Sequence, residues 1–400
     1  MKICILTALL NHGGASIVAL DVAKGMAEQG HDVLFVCSGT DAKVFSRDGF
    51  KIRIIGSKFR TPLFHYFNPF LITALFRVLQ SFKPDIIHVH NINLQTFSLC
   101  ALLFSRLYPM VWTLHDIWPL CMVGWPEPPD CNGLIDRCRE CSNWPQIFVR
   151  TNRLLKETVY RHSKISIVCP SGWMSEQLHG SALSQNNVHI VHNGFDPHFF
   201  SDSASKIELK SQLGIPKNSP IVLFIGGKRL AGLLPAERKG WKYLVSALKK
   251  NDLKKYDIHL LYVGDRIDLP SDFPVSVSFA QGISRSDMNL YYSLADIFVL
   301  PTLADNSPLT ILEAMTNKTP VIAAKTGGIP EIVIHNETGI LCPPRNSSAL
   351  TEAIELLLSK PEIGSELAER AHEHIFSEFS FNQMITGYEA VYNQTIAKSR

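Results

Sequence analysis

The sequence predicts an α/β chain of two domains, each a parallel sheet covered by helices on both faces. Short β-rich apolar runs alternate with amphipathic stretches along the whole chain. The alternation breaks at a stretch rich in Asn, Gly, Ser and Pro from 193 to 220, and then begins again. A chain of 400 residues is also long for one domain, and its 46% hydrophobic content supplies core for two.

In the first half the strands fall at Ile3–Ala8, Asp32–Cys37, Lys51–Ile55, Ile86–His90, Val111–His115, Ile165–Cys169 and His189–Val191. Amphipathic helices lie between them at Ala15–Glu28 and Phe70–Phe82, and the apolar run Phe97–Trp112 reads as a further core helix. In the second half the strands are Pro220–Ile225, Ile258–Val263, Val275–Phe279, Ile297–Leu300, Val321–Ala323 and Gly339–Cys342. Helices alternate with them near Trp241–Leu248, Arg285–Ser293, Leu309–Asn317 and Ala349–Leu358. The domains therefore span 1–194 and 195–379. A last helix from 380 onward carries Met384, Ile385, Tyr388 and Val391 on one side.

A net charge of +3 is too small to argue for nucleic acid, though it permits a local basic patch for a phosphate. The opening run Lys2-Ile3-Cys4-Ile5-Leu6 is expected to be a buried strand and not a leader. No apolar stretch is long enough to span a bilayer. Lys58, Arg60, Phe64, Tyr66, Phe67 and Phe70 mix basic and aromatic side chains as a bilayer interface requires, so a peripheral contact with the inner membrane face is an expectation. The bland reading is a loop packed on its own domain. Nine cysteines without a secretory signal fit a reducing cytoplasm.

Ligands of open α/β sheets bind beyond the carboxyl ends of the strands, and the chain's polar motifs all follow strands. Asp305 and Glu313 are eight residues apart around a helix start, with Ser307 placed to cap it and Pro308 at its first position. The free N–H groups there suit a phosphate, and the carboxylates suit sugar hydroxyls. Asn306, Ser307, Leu309 and Thr310 would line that pocket with Gly327-Gly328. Gly13-Gly14 lets backbone approach a ligand closely, but it is not a dinucleotide fingerprint, which disfavours a nicotinamide enzyme. Lys228, Arg229, Arg238 and Lys239 cluster after a strand, where fixed cations would stabilise a leaving diphosphate without a metal. His90 and His115-Asp116 end neighbouring strands.

These motifs, with Gly30-His31, Asp85-Ile86-Ile87-His88, Asn193-Gly194-Phe195-Asp196 and Gly327-Gly328-Ile329-Pro330-Glu331, together resemble the retaining GT-B glycosyltransferases, family 4 in particular, over nearly the whole chain. The resemblance implies two Rossmann-like domains facing across a cleft, with the helix from 380 to 400 crossing back onto the first. It implies a nucleotide-diphosphate sugar donor in the second domain and a saccharide or lipid-linked saccharide acceptor in the first. Lys239 matches the family's lysine on the diphosphate, and Arg229 or Arg238 its arginine. Glu313 matches the acid on the ribose hydroxyls, and Asp305 the acid on the donor sugar, where glutamate is commoner. Gly14 would lie beside the diphosphate, and His115 would face the reacting sugar. Transfer with retention would then proceed without a catalytic metal and without a protein base, in polysaccharide or lipopolysaccharide assembly. An epimerase on the same fold, or a non-catalytic zinc-stabilised binding protein on a degenerate transferase scaffold, are the alternatives.

Cys121, Cys131, Cys138 and Cys141 fall within 21 residues and end in C-x-x-C. Four thiolates can close a tetrahedral structural zinc site, with a metal-free loop or a redox pair as alternatives.

Overall fold

The computed structural model describes residues 1–10, 13–56, 68–92, 97–121, 145–195, 206–227 and 235–399. The chain divides into two compact units, Met1–Gly194 together with Phe381–Arg400, and Phe195–Ser380.

The first unit holds β1 (Lys2–Thr7), β2 (Asp32–Gly39), β3 (Lys43–Arg47), β4 (Phe50–Gly56), β5 (Ile86–Val89), β6 (Met110–Thr113), β7 (Ser166–Cys169) and β8 (Asn187–Ile190). They form one sheet in the order β3-β4-β2-β1-β5-β6-β7-β8. Every pairing is parallel except β3 with β4. Its helices are α1 (Gly13–Glu28), α2 (Pro69–Phe82), α3 (Gln146–Arg161) and α4 (Gly172–Gln177), and a 3-10 turn covers Leu99–Arg106. In α2 the sequence supplies both ends. Asn68 accepts from the Leu71 N–H, Pro69 fits the first turn, and Lys83 closes the helix in the left-handed region. One sheet face packs Leu6, Val89 and Trp112 against Leu75, Leu79, Leu102 and Val149. The opposite face meets α1 and the terminal helix Phe381–Ser399, through Tyr388 and Tyr392.

The second unit holds β9 (Ile221–Gly227), β10 (His259–Gly264), β11 (Ser276–Ala280), β12 (Ile297–Leu300), β13 (Val321–Ala324) and β14 (Ile340–Cys342), in the order β11-β10-β9-β12-β13-β14. All its pairings are parallel. Its helices are α5 (Lys206–Gln212), α6 (Pro235–Arg238), α7 (Trp241–Leu248), α8 (Met288–Leu294), α9 (Leu309–Thr316), α10 (Ile329–Ile332), α11 (Ser347–Ser359) and α12 (Pro361–Glu378). Strand order reverses between β9 and β12, so the segments after these two strands leave the sheet at its switch point.

Three local expectations are corrected. The run Phe97–Trp112 is a 3-10 turn followed by strand β6, because Pro109 separates them and Met110–Thr113 fills a fully buried sheet position. Part of the stretch 193–220, where the alternation of strands and helices was expected to break, is helix α5. The edge strand β3, exposed on both faces, was not expected at all.

Two glycines hold the loop after β12 in place. Gly240 has φ +80°, and a Cβ there would stand 1.8 Å from the Pro301 carbonyl oxygen. Gly327 has φ +58°, and its Cβ would stand 1.7 Å from the Asp305 carbonyl oxygen. Gly240→Ala is therefore expected to lower the unfolding free energy by roughly 2–5 kcal/mol, from left-handed strain plus overpacking. Gly282→Ala, at φ +69° with open space around it, should cost only about 1–2 kcal/mol. Urea titration of the two variants measures the difference.

Candidate functional site

In the second unit the loop of residues 301–308 is stitched on both sides. The Leu303 N–H donates to the Arg238 carbonyl at 2.9 Å, and the Arg238 guanidinium donates back to the Ala304 carbonyl at 3.0 Å. On the other side the Gly328 N–H reaches the Asp305 carbonyl at 3.2 Å, and the Thr326 hydroxyl donates to the Leu303 carbonyl, also at 3.2 Å. These bonds bring Arg238, Lys239, Asp305 and the start of α9 to one place. The Arg238 Nη1 and Asp305 Oδ2 atoms are 3.9 Å apart, a loose ion pair.

Lys239 is partly buried in this cluster. Burial pushes its ammonium down to about 8; the Asp305 carboxylate opposes that shift, Arg238 adds to it, and Glu313 opposes it. Lys239, Asp305, Arg238 and Glu313 thus lie within one another's fields. The two cations and two carboxylates balance formally, so it is desolvation that leaves the lysine depressed.

Glu313 lies in α9 and is 8% exposed. Its Oε2 accepts from the Tyr292 hydroxyl at 2.7 Å. Asn306 is buried, while Ser307, Leu309 and Thr310 are partly exposed at the helix entry. The N-cap is Pro308, without a side-chain cap bond, so the expectation of Ser307 at the cap and Pro308 inside the helix is off by one position. The Pro308 carbonyl still accepts from the Ile311 N–H at 3.1 Å, a tight first turn. Arg229 lies outside the described residues, and Arg238 is the arginine observed beside Lys239.

In the first unit the ends of β5 and β6 carry a set of buried imidazoles. His90 Nδ1 and His115 Nε2 are 2.8 Å apart, and the two rings stack at 5.1 Å. The His88 ring lies 4.0 Å from that of His90. His88 is bonded at Nδ1 to the Tyr392 hydroxyl, 2.6 Å, and at Nε2 to the Thr113 hydroxyl, 2.8 Å. Burial first, then the neighbouring imidazoles, hold His88 and His90 well below the usual histidine range. Burial takes His115 down to about 3. All three are neutral at physiological pH, so they act as hydrogen-bonding groups and not as cations.

A small cavity beside this set is lined by His90, Trp112, His115, Asp116 and Trp118, among others. The loop that closes it is fastened from α3. The Lys156 ammonium donates to the carbonyls of Trp118 and Cys121 and sits 4.3 Å over the Trp118 ring. The Tyr160 hydroxyl donates to the Pro119 carbonyl at 2.8 Å. Asp116 Oδ1 accepts from the Trp118 N–H at 2.9 Å, which turns the chain away from β6. Gly14 is exposed in the first turn of α1, after β1.

Tyr292, Lys156, Tyr160, Tyr388 and Tyr392 were not anticipated as supports of these residues. Of the four clustered cysteines, Cys121 is buried at the end of the fastened loop, while Cys131, Cys138 and Cys141 lie outside the described residues. So do Lys58, Arg60, Phe64, Tyr66 and Phe67 of the basic and aromatic set, whereas Phe70 lies exposed in α2. Among the described residues no group of His, Cys, Asp and Glu could hold a metal, and no helix is long and apolar enough to cross a membrane.

Replacing Lys239 separates the cost of its burial from the diphosphate contact expected of it. Between pH 8 and the higher pKa of an unfolded lysine, the folded state binds fewer protons, so folding stability rises with pH. Below pH 8 the full cost of the buried ammonium is present. Lys239→Met should therefore melt above the wild type at pH 7 without ligand, with the gap closing as pH climbs past 8. The same variant should bind a nucleoside diphosphate on the order of tenfold or more weakly. Calorimetry over that pH range, with and without diphosphate, reads both.

Two family models match consecutive parts of the chain: "Glycosyltransferase Family 4" over residues 12–199 and "Glycosyl transferases group 1" over residues 205–374. The N-acetyl-alpha-D-glucosaminyl L-malate synthase of Bacillus anthracis is 24% identical over 397 residues, 95% of this chain and 93% of that protein. Sucrose-phosphate synthase from Thermosynechococcus elongatus superposes with a TM-score of 0.78 at 20% identity, covering 99% of both chains. The Anabaena protein HepE, in complex with UDP-glucose, superposes at 0.65 with 20% identity, covering 100% of this chain and 99% of that one.

Proposed function

The chain belongs to the group 1 glycosyltransferases of GT-B fold, and on that premise we propose that it moves a sugar from a nucleotide-diphosphate donor to a saccharide or lipid-linked saccharide, with retention, in polysaccharide or lipopolysaccharide assembly. The observation that carries the donor reading is the cluster of Lys239, Arg238, Asp305 and Glu313 around the entry of α9, with its lysine depressed by burial. A diphosphate would meet Lys239, Arg238 and the helix N–H groups. Glu313 would take the ribose hydroxyls, and Asp305 the sugar. The UDP-glucose bound in HepE supports a donor of this chemical class.

In the proposed step the bond from the sugar's C1 to the diphosphate oxygen breaks as the acceptor oxygen bonds to C1. The acceptor's proton passes to the departing phosphate, whose growing charge Lys239 and Arg238 stabilise. No protein base is required. His115, neutral and held through His90, would offer the first unit's hydrogen bond to a saccharide hydroxyl.

Thermal-shift screening against UDP-, GDP- and ADP-sugars tests the donor site. One nucleotide class should stabilise the wild type, by about 2.7 kcal/mol at a hundredfold excess over Kd. Glu313→Ala should lose most of that shift. A shift that survives in Glu313→Ala would remove the acid from the donor site, and no shift with any donor would sink the reading.

A membrane-bound acceptor is the form we favour, because α3 faces solvent with the wrong side. Its buried positions include Asn152 and Lys156, whereas Ile147, Phe148 and Leu154 are 67%, 57% and 65% exposed. At helical spacing Ile147 and Leu154 share one strip, Phe148 and Leu155 the adjoining one, and Arg150, Arg153 and Arg161 run along its border, the last two loosely paired with Glu157 at 3.6 and 3.9 Å. An outward apolar stripe with an arginine edge fits an anionic bilayer surface. The contact is thus proposed on α3. Co-sedimentation with phosphatidylcholine vesicles should rise when phosphatidylserine is added and fall with salt. The double variant Ile147→Gln/Leu154→Gln should bind roughly tenfold less. Binding indifferent to phosphatidylserine, or unchanged in that variant, would remove the proposed surface.

A further inference from the structure

Glu313 is held by a clasp between α8 and α9 that the family-level reading leaves without a role. Tyr292, at 0% exposure, lies in α8 and donates its hydroxyl to Glu313 Oε2 at 2.7 Å. Its ring is fixed edge-on against Phe298 of β12, 5.7 Å between centroids. Its backbone carbonyl accepts from the Thr319 hydroxyl at 2.8 Å, just before β13. The next residue, Ser293, donates to Asn317 Oδ1 at 3.1 Å, and Asn317 Nδ2 donates to the Glu313 carbonyl at 2.8 Å. Side chain and backbone of Glu313 are therefore both tied to α8.

A carboxylate at the second turn of a helix ordinarily rotates about its side-chain torsions. Here one oxygen accepts from a phenol that is itself held by sheet and loop, which restricts the carboxylate's rotation. We propose that Tyr292 is a positioning residue for the donor's ribose: it aims Glu313 at the vicinal hydroxyls of a nucleoside diphosphate and makes the site select ribose over deoxyribose. The inference rests on the reading of Glu313 as the ribose acid. Burial, and then the charge of Glu313, hold the Tyr292 phenol well above its ordinary pKa. It stays a donor at any pH at which the enzyme works. A site built to bond hydroxyls discriminates sharply against analogues that lack them, because its buried polar groups are then left without partners.

The probes are UDP, GDP and ADP with their 2′,3′-dideoxy counterparts, titrated calorimetrically into the full chain. Wild type should prefer the ribose form of its nucleotide. Tyr292→Phe keeps the ring on Phe298 and removes one hydroxyl. It should weaken the ribose form roughly tenfold, leave the dideoxy form unchanged, and so lower the preference by the same factor. Gly282→Ala, strained at φ +69° but outside the clasp, is the control: it should lower the melting temperature without changing the preference. Equal loss for both forms in Tyr292→Phe, or an unchanged preference, overturns the inference. Glu313→Gln separates the two failures. If it keeps the full preference, the ribose reading of Glu313 has failed; if it loses the preference and Tyr292→Phe does not, only the role of Tyr292 has.

Discussion

The candidate donor site depends on two places where backbone touches backbone. The Pro301 and Asp305 carbonyls press on Gly240 and Gly327 at distances no side chain could share. With those contacts made, the loop after β12 has one path. It is bonded to Arg238 on one side and to Gly328 on the other. Lys239 and the continuous segment from Asp305 into α9 come from separate parts of the chain, and they meet because the glycines let the chain close in around that loop. A charged cluster on flexible loops would spread to reduce its own desolvation. Here the backbone denies it that relief, and the depressed pKa of Lys239 records the cost.

The two units solve desolvation in opposite ways. At the ends of β5 and β6 the titratable groups are imidazoles, which shed their charge when buried and pair through their nitrogens. A neutral pair must have one ring donating and the other accepting, so the tautomer of His90 fixes which nitrogen of His115 carries its proton. The first unit therefore presents an oriented dipole where the second presents a cation and carboxylates. An oriented neutral donor or acceptor suits a hydroxyl; a cation beside a helix entry suits a phosphate. This division of chemistry follows from side-chain type and burial within each unit alone.

Much of the fold was legible because buried parallel strands must be apolar on both faces, and such runs stand out between amphipathic stretches. The edge strand β3 was not, since Lys43-Val44-Phe45-Ser46-Arg47 is exposed throughout and carries no burial signal. Helix α12 was missed because its apolar positions are few and interrupted by charge. In the site, the residue types were legible as motifs after strands: Lys239, Asp305, Glu313, His90 and His115 each end or follow a strand or open a helix. Their supports were not. Tyr392 is 304 positions from His88, and Lys156 is 38 from Trp118. Nothing local in a sequence distinguishes a tyrosine that orients a histidine from one that fills a core.

Tyr292 marks the limit of that legibility most clearly. It stands 21 residues before Glu313 in a helix whose neighbouring Tyr291 is also largely buried. Periodicity assigns both to the core, and for the rings this is right. The difference lies in the last atom: a buried phenol needs a partner, and only one of the two places its hydroxyl on a carboxylate in the charged cluster. A phenylalanine would fill the same volume without that demand. A tyrosine here costs desolvation of its hydroxyl, which the bond to the Glu313 carboxylate offsets.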